Sequence, residues 1–123
     1  MQVRQSAEDY LETILFLFKK TGAVRSKDIV MEMGLSKPSV SVAMKKLREL
    51  GMIEMDEDSY IRLTPKGLEV ATKVHDRHMT LFNWLVSNGV DAAIAEKDAC
   101  RMEHVISNET FEMIKRQAEK QKA

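Results

Sequence analysis

Apolar positions recur mostly at helical spacing along this chain. Leu11, Ile14, Leu15, Leu17 and Phe18 form a first stripe, with Ser6 as the expected N-cap and a break at Thr21-Gly22. A short second helix is expected over 27–33, capped by Ser26 and ended by Gly34. Val40, Ala43, Met44, Leu47 and Leu50 predict a third over 39–50, with Pro38 in its first turn and Gly51 as its stop. The period then changes. Residues 52–55 and 60–63 read as two short strands around the acidic turn Asp56-Glu57-Asp58-Ser59. Thr64 and Pro65 open a long helix to about Asn88, and Leu81, Phe82, Trp84, Leu85 and Val86 make its second half nearly all apolar. Asp91 caps a fifth helix over 92–106. Ser107 and Asn108 begin a sixth, whose polar tail from Lys115 is expected to fray.

Two helices joined by a Gly-containing turn and followed by a hairpin are the pattern of a winged helix-turn-helix. The fold class is therefore mainly α: a winged helix-turn-helix DNA-binding domain at 1–63, then a helical domain at 64–123. The broad apolar surface of helix four predicts burial on two sides, hence a second copy of the chain.

Composition changes this picture little. With 123 residues there is room for one domain with a real core. Aromatic content is 6% and there are 9 Met, which favours helices packed by aliphatic side chains. Lys and Arg total 19, as do Asp and Glu, so any basic surface must be local. The third helix supplies one. Ser36, Lys37, Pro38, Ser39, Ser41, Val42, Lys45 and Lys46 are its expected DNA-contacting residues. Lys45, Lys46 and Arg48 would meet phosphates; Ser39, Ser41 and Val42 would reach base edges. At the wing, Arg62 and Lys66 are expected to help at the DNA backbone rather than the acidic tip. The single cysteine suits a reducing compartment. No apolar run approaches the ~20 residues of a membrane span. Met1-Gln2-Val3-Arg4 leads straight into a polar helix start, so a cytoplasmic protein without signal peptide is expected.

Candidate chemistry concentrates in the fifth helix. Cys100, Glu103 and His104 stand at i, i+3 and i+4, on one face and one turn apart. Thiolate, carboxylate and imidazole are the donors of a borderline divalent transition metal. On spacing alone they fit equally a small buried cysteine, a solvated glutamate and a core histidine. Asp9 and Glu12 share a face of the first helix, where acids also simply suit a helix N-terminus. His78, like His75, lies between the two halves of helix four, where a histidine is usually a boundary residue.

Longer segments carry a resemblance. Ser-Ala-Glu-Asp-Tyr-Leu-Glu-Thr-Ile (6–14), Leu-Ser-Lys-Pro-Ser-Val-Ser (35–41), Leu-Thr-Pro-Lys-Gly (63–67), Arg-His (77–78) and Ala-Cys-Arg-Met-Glu-His-Val-Ile-Ser (99–107) occur in this order. Together they make the chain similar to the metal-dependent repressors of the diphtheria toxin repressor and manganese transport regulator family. The resemblance covers nearly the whole sequence. It implies a transcriptional regulator, a repressor of iron or manganese uptake genes, activated by Fe(II) or Mn(II). It also implies a homodimer on a palindromic operator in double-stranded DNA. The helical domain would then serve dimerisation and metal binding.

The resemblance implies six metal ligands. Glu103 and His104 match the pair shared by both branches, and His78 matches a histidine of helix four. Asp9 and Glu12 match the manganese branch, whereas Cys100 matches the iron branch. An ancillary iron-branch site would need an acid where this chain has Phe82 and Asn83. Glu96 stands where the iron branch has a histidine, and is expected to be solvated. On this resemblance the chain is expected to be of the compact manganese type. Two rival readings differ in kind. A zinc enzyme would need a general base and a substrate cleft that the sequence does not display. A metal-independent winged-helix regulator sensing oxidants through Cys100 would need none of the neighbouring donors.

Overall fold

The computed structural model describes the backbone of residues 2–122 and the side chains of residues 7–121. Its elements run α1 (Gln2–Thr21), α2 (Ser26–Met33), α3 (Lys37–Glu49), β1 (Ile53–Met55), β2 (Ile61–Leu63), α4 (Pro65–Ser87), α5 (Ala92–Val105) and α6 (Asn108–Lys122). All eight were expected, and their ends differ in instructive ways. α1 begins at Gln2, so Ser6 lies inside the helix rather than at its cap, and its side chain is outside the described ones. α2 is capped at Arg25, one residue before the expected Ser26, because Asp28 Oδ2 accepts the Arg25 backbone N–H at 2.9 Å. α3 starts at Lys37, earlier than expected, because Ser36 Oγ accepts the Ser39 N–H at 3.3 Å and Pro38 tolerates the first turn. α6 continues past Lys115 to Lys122. Near its end Asn88 and Gln121 exchange side-chain hydrogen bonds of 3.4 and 3.3 Å, which holds the last turns beside the end of α4.

The chain divides into two units, Met1–Thr72 and Lys73–Ala123. In the first, Leu11, Ile14, Val24, Ile29, Val40, Met44, Leu47, Ile53, Ile61 and Ala71 form a buried core. The inward stripe of α3 is the expected one: Val40, Met44 and Leu47 are buried, while Val42 and the lysines face outward. β1 and β2 pair antiparallel, with Ile53 opposite Leu63 and Met55 opposite Ile61. The hairpin is anchored where Ile61 N–H donates to Val24 O at 2.7 Å. At its tip Asp56 Oδ1 accepts the N–H groups of Asp58 and Tyr60, both at 2.9 Å, so one acidic side chain shapes the turn.

The boundary between the units falls inside α4 because its first turns belong to the winged-helix core. Thr64 caps the helix through Gly67 N–H at 3.1 Å, and Thr64 Oγ1 donates to Gly51 O at 2.7 Å. Gly67 is buried directly against the backbone of Met52.

In the second unit Leu81, Ala99, Phe111 and Ile114 are buried, with Phe82, Trp84, Leu85, Met102 and Ile106 half-buried against them. Part of the apolar surface of α4 is thus covered by the unit's own α5 and α6. Val86 and Ile94 remain exposed. No helix among the described residues is long and apolar enough to cross a membrane.

Candidate metal centre and nucleic-acid interface

α3 presents a polar, basic face. Lys37, Pro38, Ser39, Ser41, Val42, Lys45, Lys46 and Arg48 are all exposed, and Ser36 caps the helix. Val42 keeps 64% of its surface, an isopropyl group standing among hydroxyls and ammonium groups. Such a face can take phosphates with its lysines and a thymine methyl with Val42. Ser39 is less free than its exposure suggests, since its Oγ accepts the Ser36 hydroxyl at 2.9 Å.

A second basic feature was missed at the sequence level. Arg25, Ser26, Lys27, Ser41, Arg48 and Ser59 line a groove of about 420 Å³ between the start of α2, the face of α3 and the wing tip. The Arg25 guanidinium stacks on Tyr60, 4.3 Å from the ring centre. The signal was a basic triplet, Arg25-Ser26-Lys27, at a helix start. Lys66, expected at the DNA backbone, donates to the Leu50 carbonyl at 3.2 Å, at the end of α3.

The donor-rich region of the second unit is built by α4 and α5. His78 comes from α4; Glu96, Cys100, Glu103 and His104 come from α5. Glu103 is fully buried. Its Oε2 lies 3.2 Å from His78 Nδ1, and its Oε1 lies 3.3 Å from His104 Nε2. Neither oxygen has a hydrogen-bond partner, and neither has His78 Nδ1, because the contacts lack hydrogen-bond alignment. Removing a carboxylate from water costs several kcal/mol unless a cation compensates. An unsatisfied, buried carboxylate between two imidazoles is what a cation site requires.

His78 titrates at about 9. Contact with the Glu103 carboxylate is the largest cause, burial opposes it, and the charges of Glu103 and Glu96 with the Glu96 hydrogen bond add to it. At neutral pH the imidazole is therefore cationic and occupies, with its proton, the place of a positive charge.

Arg77, adjacent to His78, secures the end of α5. Its Nη1 donates to the Glu103 carbonyl at 3.1 Å and the Ile106 carbonyl at 3.4 Å, and its Nη2 donates to Asn108 Oδ1 at 2.7 Å. These bonds satisfy carbonyls left open at a helix C-terminus. They also hold in place the turn that carries Glu103 and His104. The guanidinium lies 5.0 Å from the Phe111 ring centre.

Cys100, one turn earlier on α5, is exposed and lies in no group of three close donors among the described residues. Asp9 and Glu12 lie half-buried on α1 of the first unit. Glu96, expected to be solvated, instead accepts a hydrogen bond from His78 Nε2 at 3.0 Å. Its side chain is 60% exposed, so the contact uses only its tip.

Comparison with known proteins gives a consistent set of relatives. Residues 2–61 match the iron dependent repressor N-terminal DNA binding domain. Residues 64–122 match the iron dependent repressor metal binding and dimerisation domain. The transcriptional regulator MntR of Salmonella typhimurium is 37% identical over 109 residues, covering 89% of this chain and 69% of that protein. An uncharacterized HTH-type transcriptional regulator of Methanocaldococcus jannaschii is 36% identical over 113 residues, covering 90% of each. Among solved structures, the manganese regulator SloR matches with a TM-score of 0.79 at 27% identity, over 89% of this chain and 52% of that one. A manganese-dependent transcriptional repressor in complex with manganese matches with a TM-score of 0.83 at 25% identity, over 91% and 52%. The chain spans about half the length of these two solved relatives.

Proposed function

The chain belongs to the iron-dependent repressor family, and on that premise we propose that it is a metal-responsive transcriptional regulator, a repressor of iron or manganese uptake genes. The observation that carries this reading is the buried Glu103 carboxylate, unsatisfied between His78 and His104. The proposed ligands are His78, Cys100, Glu103 and His104 from α4 and α5, with Asp9 and Glu12 from α1. When bound, Fe(II) or Mn(II) supplies the positive charge that compensates the buried carboxylate. Domains at 1–63 for DNA binding and 64–123 for metal binding and dimerisation follow from the same reading. The proposed activity is regulatory rather than catalytic, and its place is the cytoplasm, with the DNA. Sensing through Cys100 alone would leave the carboxylate between two imidazoles without a role.

A metal shifts a conformational equilibrium only through differential affinity for the two states. By reciprocity, operator DNA tightens metal binding by the factor with which metal tightens DNA binding. Two copies related by a two-fold axis would read half-sites one helical turn apart or a multiple of it. The test is anaerobic operator binding at fixed salt with Mn(II), Fe(II) or chelator. Metal should be required, and equal affinity with and without chelator would overturn the reading.

The same titration has a pH dependence of known sign. Below about 9, metal must displace a proton from His78, so metal affinity should rise as pH rises from 6 to 9. A flat profile would remove His78 from the ligand set.

The exposed face of α3 makes a separate prediction. Lys45→Ala should weaken operator and random DNA alike and reduce the salt slope of binding by about 1. Val42→Ala should instead change the ratio between the two DNAs. An unchanged slope for Lys45→Ala would place that lysine away from the phosphates.

A further inference from the structure

The two ring nitrogens of His78 have different surroundings. Nε2 makes an aligned hydrogen bond with Glu96 at 3.0 Å. Nδ1 lies 3.2 Å from Glu103 Oε2 but has no hydrogen-bond partner. Once the cationic ring has lost one proton to metal binding, the imidazole keeps the other, and it resides where an acceptor is aligned with it. We infer that Glu96 is a positioning residue for the metal centre. It accepts the His78 Nε2 proton and so leaves the Nδ1 lone pair directed beside the buried Glu103 carboxylate. This inference rests on the metal-regulator reading above.

The local geometry supports it from both elements. Glu96 and Glu103 are at i and i+7 on α5, two turns apart on one face, and they reach opposite edges of the His78 ring supplied by α4. The two nitrogens of an imidazole direct their lone pairs away from each other, so one ion cannot bind at both. Glu96 is on the edge away from Glu103, and it lies in no group of three close donors among the described residues. Its place is therefore behind the ligand. A carboxylate in that place fixes the ring's rotation and tautomer and raises the basicity of the nitrogen facing the metal. Sequence alone could not assign this role, because only the pairing of α4 with α5 brings residues 78 and 96 together.

The test compares wild type, Glu96→Ala and Glu96→Gln. Mn(II) affinity is measured by electron paramagnetic resonance. The His78 ring is observed by long-range proton–nitrogen correlation on ¹⁵N-histidine-labelled, Zn(II)-loaded protein. Wild type should show a protonated Nε2 and a zinc-bound Nδ1. Glu96→Ala should bind Mn(II) about 10–100-fold more weakly, the usual loss for a partner behind a ligand. Its Nε2 proton should exchange faster with water. Glu96→Gln keeps an acceptor oxygen and should restore the tautomer and most of the affinity. Because Glu96 is largely exposed, all three proteins should have the same unfolding midpoint without metal. Wild-type Mn(II) affinity in Glu96→Ala, zinc at Nε2 in the wild type, or no rescue by Glu96→Gln would overturn the inference. Wild type that binds neither metal would instead overturn the functional reading itself.

Discussion

Glu103→Gln is expected to abolish the stabilisation that Mn(II) or Fe(II) confers on the folded chain. A ligand that binds only the native state stabilises it by about 2.7 kcal/mol when present at 100 times its dissociation constant. Wild type should show that gain in denaturant or thermal unfolding. The variant should show none at the same metal concentration. The substitution keeps the size and shape of a fully buried side chain, so packing is preserved. What it removes is an anionic donor that touches both His78 and His104. A neutral amide is a weaker oxygen donor, and it no longer needs a cation. His78 also loses the contact that most raises its pKa, so the metal-free variant should titrate this histidine lower than wild type. Without metal the variant should be less stable, because the cationic His78 loses its anionic partner, so the metal-induced shift is read against each protein's own metal-free midpoint. A Glu103→Gln protein with a wild-type metal-induced shift would show that the ion is held elsewhere.

The largest effect on stability is expected at Gly67, in the first turn of α4. A Cβ at this position would overlap the Met52 carbonyl oxygen and lie 2.9 Å from its carbon. Both are backbone atoms at the start of the wing, so no flexible side chain can yield. That carbonyl is already engaged by Thr64 N–H at 3.0 Å. Gly67→Ala must therefore push the first turn of α4 off the hairpin. Overpacking of this kind costs about 1–3 kcal/mol, and rigid backbone on both sides places this case at the upper end. Ala is otherwise the better helix former, by roughly 0.8–1 kcal/mol over Gly. The sign of the measured change thus decides between close approach and helix propensity. Urea unfolding in metal-free buffer should show a lower midpoint with an unchanged slope. A stabilised Gly67→Ala protein would mean that α4 and the hairpin separate readily in solution.

These two positions differ in how far they could be read in advance. Glu103 was visible because donor types at i, i+3 and i+4 must share a helix face whatever the tertiary structure. Its lack of a hydrogen-bond partner was not visible, since alignment depends on where α4 places His78. Gly67 appeared only as part of a matching segment. Nothing local distinguishes a glycine required by close approach from one merely tolerated in a first turn. Helix ends show the same division. Gly34 stops α2 as expected, adopting φ 66°, a local preference of glycine. The polar tail of α6 carries no such local signal, and its contact through Gln121 is with Asn88, a residue distant in sequence.

By itself, then, the sequence determined the eight elements, the inward stripe of α3 and the donor chemistry of α5. Each follows from spacing along one helix or strand. Only the tertiary structure decided that Arg77 holds the end of α5, that Glu96 engages His78 and that Gly67 lies against Met52. Those contacts join elements across long sequence separations, and their strength depends on angles and tenths of an ångström that no periodicity encodes.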